Sequence, residues 1–266
     1  MIKLRAICRP ILFGFLYIIS ILFFSVIGSA FNFSEAAINL TIQLGLMIEV
    51  ILIAKAVKKE YGINIKEHLN FKLLKFSKLY LFIILAIAIE MWLIQLEAIV
   101  KNQAGAVNSA INSYDNATIM ILYLFGVFVA PVTEEILCRL IMIESCKKEV
   151  GVVFSIVLSS LIFSLLHLRG LVPTIHIFTT SLLLGYVYII TNNLAYTIII
   201  HSTTNTLLIV LDLLHEFGIP VYKIINGETM INGYILAGVT FLSITSWGLR
   251  IIKKWRLNKI DMEDAC

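Results

Sequence analysis

The residues best suited to chemistry stand in three short groups, each inside a long apolar stretch: Glu134, Glu135 and Arg139; Phe163 and His167; His201 and Asn205. Ionisable side chains in such stretches are expensive to bury and mark a functional site by default. On a helix, Glu135 and Arg139 lie four residues apart on one face, acid before base, so they can pair and lower the burial cost of both. Glu134 is turned about 100° away and lacks that partner, which leaves its carboxylate available as a general base. His201 and Asn205 are also four apart and offer a ring and an amide to one side, while Phe163 sits one turn before His167 and can pack under its imidazole.

This donor and acceptor set suits hydrolysis of a peptide bond. One carboxylate and one imidazole would activate water, and the second imidazole and the amide would hold the oxyanion of the tetrahedral intermediate. The same Glu134, His167 and His201 would equally make a three-ligand zinc site with a fourth position open for water, and residue types do not separate the two. Other chemistries lack their signatures. His215-Glu216 is followed by Phe217, Gly218 and Ile219, so there is no His-Glu-x-x-His; no two glycines are two apart, and there is no P-loop or dinucleotide fingerprint. No nucleotide cofactor is expected.

The elements that must position these residues follow from composition. Of 266 residues 59% are hydrophobic and 14% charged, against about 25% charged in a soluble domain, and the mean hydropathy is +0.94. A soluble enzyme, a disordered chain and a basic nucleic-acid binder are excluded, and Cys8, Cys138, Cys146 and Cys266 follow no disulfide or metal spacing. Apolar stretches long enough to cross a bilayer recur at Ile11–Phe31, Ala37–Val57, Leu79–Val100, Thr118–Cys146, Val152–Leu168, Thr174–Thr191, Ala195–Leu214 and Ile231–Ile252. Unpaired backbone is intolerable in hydrocarbon and no barrel-like alternation is present, so each is helical. The expected fold is all-α: a polytopic membrane protein of about eight transmembrane helices in one bundle, a single membrane domain over residues 1–266 with its core at 118–214. The basic start and long apolar run of the first span read as a retained signal-anchor.

Charge supplies an independent check on the span count. With the amino terminus inside, sixteen Lys and Arg fall in cytoplasmic segments and three, Lys101, Arg169 and Lys223, in outside loops. Both termini are therefore expected in the cytoplasm, and the net charge of +4 is a topology signal with no bearing on nucleic acid. Residues 58–78 are basic and amphipathic, as either an inner-leaflet surface segment or an ordinary positive-inside loop. Along the helices, at about 1.5 Å per residue, Glu134, His167 and His201 all fall at hydrocarbon depth. Glu49, Glu90 and Glu97 are further acids within spans, without an assigned role.

In this order, Glu134-Glu135-x-x-x-Arg139, Phe163-x-x-x-His167 and His201-x-x-x-Asn205 resemble the motifs of the CPBP family, the CAAX proteases and bacteriocin-processing enzymes also called Abi. The resemblance runs from Leu122 to Leu214, and Gly185-Tyr186 resembles the family's small-residue packing motif. It implies an intramembrane endopeptidase, glutamic or metal-dependent, acting on a membrane-embedded or lipidated peptide. Glu134 and His167 would activate water, His201 and Asn205 would stabilise the oxyanion, and Glu135, Arg139 and Phe163 would brace the site. Zinc on Glu134, His167 and His201 is needed only in the metal-dependent case. Family members also act as scaffolds or confer bacteriocin self-immunity, so a non-catalytic role is the alternative. The Ile-, Lys- and Asn-rich composition points to a bacterial cell membrane.

Overall fold

The structure, a computed structural model, describes residues 2–101, 116–167 and 170–219. Every described element is helical. Helix α1 spans Ile2–Ala30 and α2 spans Glu35–Tyr61. Ser34 caps the start of α2 by accepting from the Ala37 N–H at 3.3 Å. Gly62 ends it at φ 73, its N–H bonded to the Lys58 carbonyl, with Lys58 and Lys59 in the last turn. A short helix, α3 (Ile65–His68), and a 3-10 turn (Phe71–Leu73) lead to α4 (Phe76–Lys101). Next, α5 (Asn116–Leu124), α6 (Ala130–Glu135) and α7 (Glu144–Val150) run on from one another through two π-helical segments, Phe125–Val129 and Ile136–Ile143. Finally come α8 (Val152–Leu166), α9 (Leu171–Thr191) and α10 (Leu194–Glu216).

Six of these helical runs are long and apolar enough to cross a membrane, and α8 is a shorter apolar helix. The first seven expected spans each coincide with one of them. The eighth, Ile231–Ile252, lies outside the described residues, as does Lys223. An all-α polytopic membrane protein is the fold.

The chain divides into two compact units, one within Met1–Leu74 and Asn108–Thr206, the other within Lys75–Val107 and Leu207–Cys266. The second contains α4 and the end of α10; Glu90 belongs to it, and the side chain of Glu97 lies outside the described residues.

In the first unit the π-helical segment Ile136–Ile143 is buried at every position, as befits a helix that is apolar almost all round. It packs against α8, whose Ser155, Ser159, Ser160 and Ser164 are all buried. Small polar residues let helix backbones approach and still find partners; here Ser159 donates to the Cys138 carbonyl at 2.8 Å. On its other flank α8 meets α9 at Gly185, where a Cβ would stand 2.8 Å from the Ile156 side chain. Only glycine fits that contact without displacement.

Residues expected on one side of the membrane meet at one end of this unit. Arg9 donates to the Ser145 carbonyl at 2.7 Å and to Glu149 at 3.2 Å, and its guanidinium lies 4.6 Å from the Tyr61 ring centroid. Asn193 and Asn70 form a reciprocal pair of hydrogen bonds, 2.8 and 3.0 Å, that ties the α9–α10 turn to the loop after α3. Tyr188 donates to Glu144 at 3.0 Å and lies 2.9 Å from the His68 Nδ1.

Candidate active site

The segment Ala130–Glu135 carries the acidic pair between two π-helical stretches, a backbone variation that recurs at functional sites. Part of its cause is readable from sequence. Pro131 has no N–H to donate. The N–H of Ala130 reaches back five residues to the Phe125 carbonyl, so the next carbonyl in that pattern, Gly126, would look to residue 131 and find none. The side chain of Asn205 fills the gap, its Nδ2 donating to the Gly126 oxygen at 2.9 Å. A buried carbonyl left without a donor costs about 1–3 kcal/mol, and at half-buried Gly126 this hydrogen bond recovers part of that cost.

Glu135 and Arg139 are both fully buried and form a fork, Nε to Oε2 at 2.9 Å and Nη2 to Oε1 at 3.4 Å. Ser181 of α9 accepts from both terminal nitrogens of Arg139 at 3.1 Å. Glu135 Oε1 also accepts from Nδ1 of His201 at 3.0 Å. Because a carboxylate only accepts, the His201 proton is on Nδ1, which turns Nε2 toward Oε2 of Glu134, 3.6 Å away. That gap is too long for a direct hydrogen bond. Two acceptors left facing each other would repel, so the Glu134–His201 pair is best held with one proton between them, or with a water donating to both.

His167 stands just past the end of α8. Its Nδ1 donates to the Phe163 carbonyl at 2.9 Å, one of the last-turn carbonyls that has no partner along the helix. The bond fixes the ring and, in the neutral form, leaves the lone pair on Nε2. Phe163 links the groups: its ring meets His167 edge-on with centroids 4.6 Å apart, meets His201 at 6.1 Å, and lies under the Arg139 guanidinium at 5.9 Å.

Glu134 and His167 share a cavity of about 150 Å³. Its remaining walls are Tyr17 and Ile21 of α1, Ile42, Gln43 and Leu46 of α2, and Leu137, Phe163 and Leu166. The structure thus brings Glu134, His167 and Phe163 onto one cavity, connects His201 to both glutamates, and turns the amide of Asn205 to a backbone carbonyl. Three contributors stand outside the sequence motifs. Tyr17 and Gln43 are isolated in the first two spans, and Ser181 stands 42 positions from Arg139. A lone glutamine in the apolar run of α2 was the available signal, because polar side chains in membrane helices usually face protein or a cavity.

A zinc ion shared by Glu134, His167 and His201 needs all three donors within about 2.0–2.2 Å of one point. Among the described residues no three His, Cys, Asp or Glu side chains are grouped in that way.

Residues 116–207 match the family model for type II CAAX prenyl endopeptidases, Rce1-like. This segment runs from the start of α5 to just past Asn205 and so includes all seven motif residues, and it agrees with the CPBP resemblance. The cavity's α1 and α2 walls lie outside it. No curated relative and no solved structure matches the chain significantly.

Proposed function

We propose that the protein is an intramembrane endopeptidase of the CAAX-protease type, hydrolysing a peptide bond in a membrane-embedded or lipidated peptide. The observation that carries this reading is the placement of Glu134 and His167, from different helices, on one cavity, with His201 3.6 Å behind the carboxylate. Glu134 takes a proton from water as the water oxygen adds to the scissile carbonyl, and returns it to the leaving nitrogen as the C–N bond breaks. The Nε2 lone pair of His167 accepts the water's other hydrogen and orients the attack. Glu135, held by Arg139 and Ser181, fixes the His201 tautomer, and His201 steadies charge at Glu134 and at the developing oxyanion. The second amide hydrogen of Asn205 adds to that stabilisation.

No step in this scheme passes through a metal. Metal content of the purified protein and activity after chelation test that point: a glutamate-base enzyme keeps its rate in chelator. The positive-inside distribution supports a cell membrane location with the amino terminus in the cytoplasm.

The full-length protein in lipid vesicles, given an internally quenched peptide carrying a prenylated cysteine three residues from its end, provides the test. Glu134→Gln, His167→Ala and His201→Ala at equal abundance are each expected to lower cleavage by about 10²–10⁴-fold. A biological function that survives all three substitutions in cells would assign the protein to the non-catalytic, scaffold or self-immunity class.

A further inference from the structure

We infer that Tyr17 is a further catalytic residue, its hydroxyl donating to the oxyanion of the tetrahedral intermediate. The inference rests on the endopeptidase reading and deepens it. Hydrolysis by a carboxylate base needs a donor on the far side of the scissile carbonyl, positioned where charge develops. The two side chains assigned to that task are substantially committed elsewhere. His201 gives its Nδ1 proton to Glu135, and Asn205 donates to the carbonyl that Pro131 leaves unpaired. Neither side chain lines the cavity.

Tyr17 does line it, together with Glu134 and His167. It is 7% exposed, and none of the hydrogen bonds among the described residues involves its hydroxyl. Tyr and Trp in apolar surroundings usually satisfy their polar tip when buried, so a phenol with no partner on the wall of a reaction cavity is the exception to explain. Tyr17 and Glu134 are walls of the same cavity of about 150 Å³, the space in which water would be activated. Of the other cavity groups, His167 commits its Nδ1 to the Phe163 carbonyl, and Gln43 brings the one side-chain amide.

In the step itself, the water O–H bond breaks toward Glu134 and a C–O bond forms. The carbonyl π pair moves onto oxygen, where the Tyr17 O–H hydrogen-bonds it and keeps its own proton. Collapse expels the amine, which takes the proton held by Glu134, and carboxylic acid and amine leave.

Tyr17→Phe removes the donor while retaining the ring. In vesicles, with the quenched prenylated peptide, it is expected to lower kcat by about 10²–10³-fold and to leave KM within twofold. Binding of the same peptide ended in an aldehyde, whose hydrate copies the tetrahedral intermediate, reads the interaction without turnover. Wild type should bind the aldehyde at least tenfold more tightly than the matching amide, and Tyr17→Phe should lose that preference. A kcat within twofold of wild type, a change confined to KM, or an aldehyde preference intact in Tyr17→Phe would each overturn the inference. If wild type neither cleaves the peptide nor prefers the aldehyde, the endopeptidase reading falls, and this inference with it.

Discussion

Glu134 and Glu135 are neighbours in sequence, yet they sit in opposite kinds of environment. Around Glu135 three hydrogen bonds converge: Arg139 forks onto both oxygens and His201 donates to one of them, while Ser181 holds the far side of the guanidinium. Its side chain is wholly buried. Glu134 retains 14% side-chain exposure, faces an open cavity and has His201 at a distance short of bonding. A sealed charge, neutralised by a buried guanidinium, cannot reach a substrate, whereas one beside an open cavity can. The same helix therefore offers a structural acid and a reactive acid one residue apart.

That contrast predicts opposite mutational signatures. Glu134→Gln should reduce kcat by about 10³-fold or more while the thermal midpoint in detergent stays within about 2 °C, because the amide fills the same space and the site has few bonds to lose. Glu135→Ala should do the reverse first: leaving Arg139 buried without its partner costs about 3–5 kcal/mol, visible as a lower unfolding midpoint and reduced abundance in the membrane. Arg139→Lys keeps the charge but not the fork to Glu135 and Ser181, and a loss of about 1–3 kcal/mol is expected in the same unfolding measurement.

Smaller effects test the scaffold that presents the pair. Asn205→Ala should destabilise by about 0.5–1.5 kcal/mol through the lost bond to the half-buried Gly126 carbonyl. In a Pro131→Ala background, where a backbone N–H is restored, the loss should shrink, and a double-mutant cycle reads the difference. Equal losses in both backgrounds would detach Asn205 from the proline. Gly185→Ala should cost about 1–3 kcal/mol by overpacking against Ile156.

The helical fold was legible because the bilayer leaves few choices: a long apolar run in hydrocarbon must be helical, and seven runs from Ile11 to Leu214 match the helices found. Spacing also paired Glu135 with Arg139, since i,i+4 contacts are local and need only the helix itself. What lay beyond sequence was long-range or depended on backbone detail. Ser181 and Tyr17 meet the site through tertiary packing that no spacing encodes. The π-helical segments alter the phase and rise that set depth along the helix, and the use of Asn205 on Gly126 follows from the N–H that Pro131 lacks, a consequence visible only once the segment is known to be π-helical.

The central claim is that the reactive acid is Glu134 and the bracing acid is Glu135. Its most direct measurement is peptide-cleavage kcat set against thermal midpoint for Glu134→Gln and Glu135→Gln, purified side by side in the same lipid. The account predicts loss of at least 10³-fold in rate at an unchanged midpoint for Glu134→Gln, and for Glu135→Gln a lowered midpoint with most of the rate kept below it. Normal turnover by Glu134→Gln, or a stable but inactive Glu135→Gln, would contradict it.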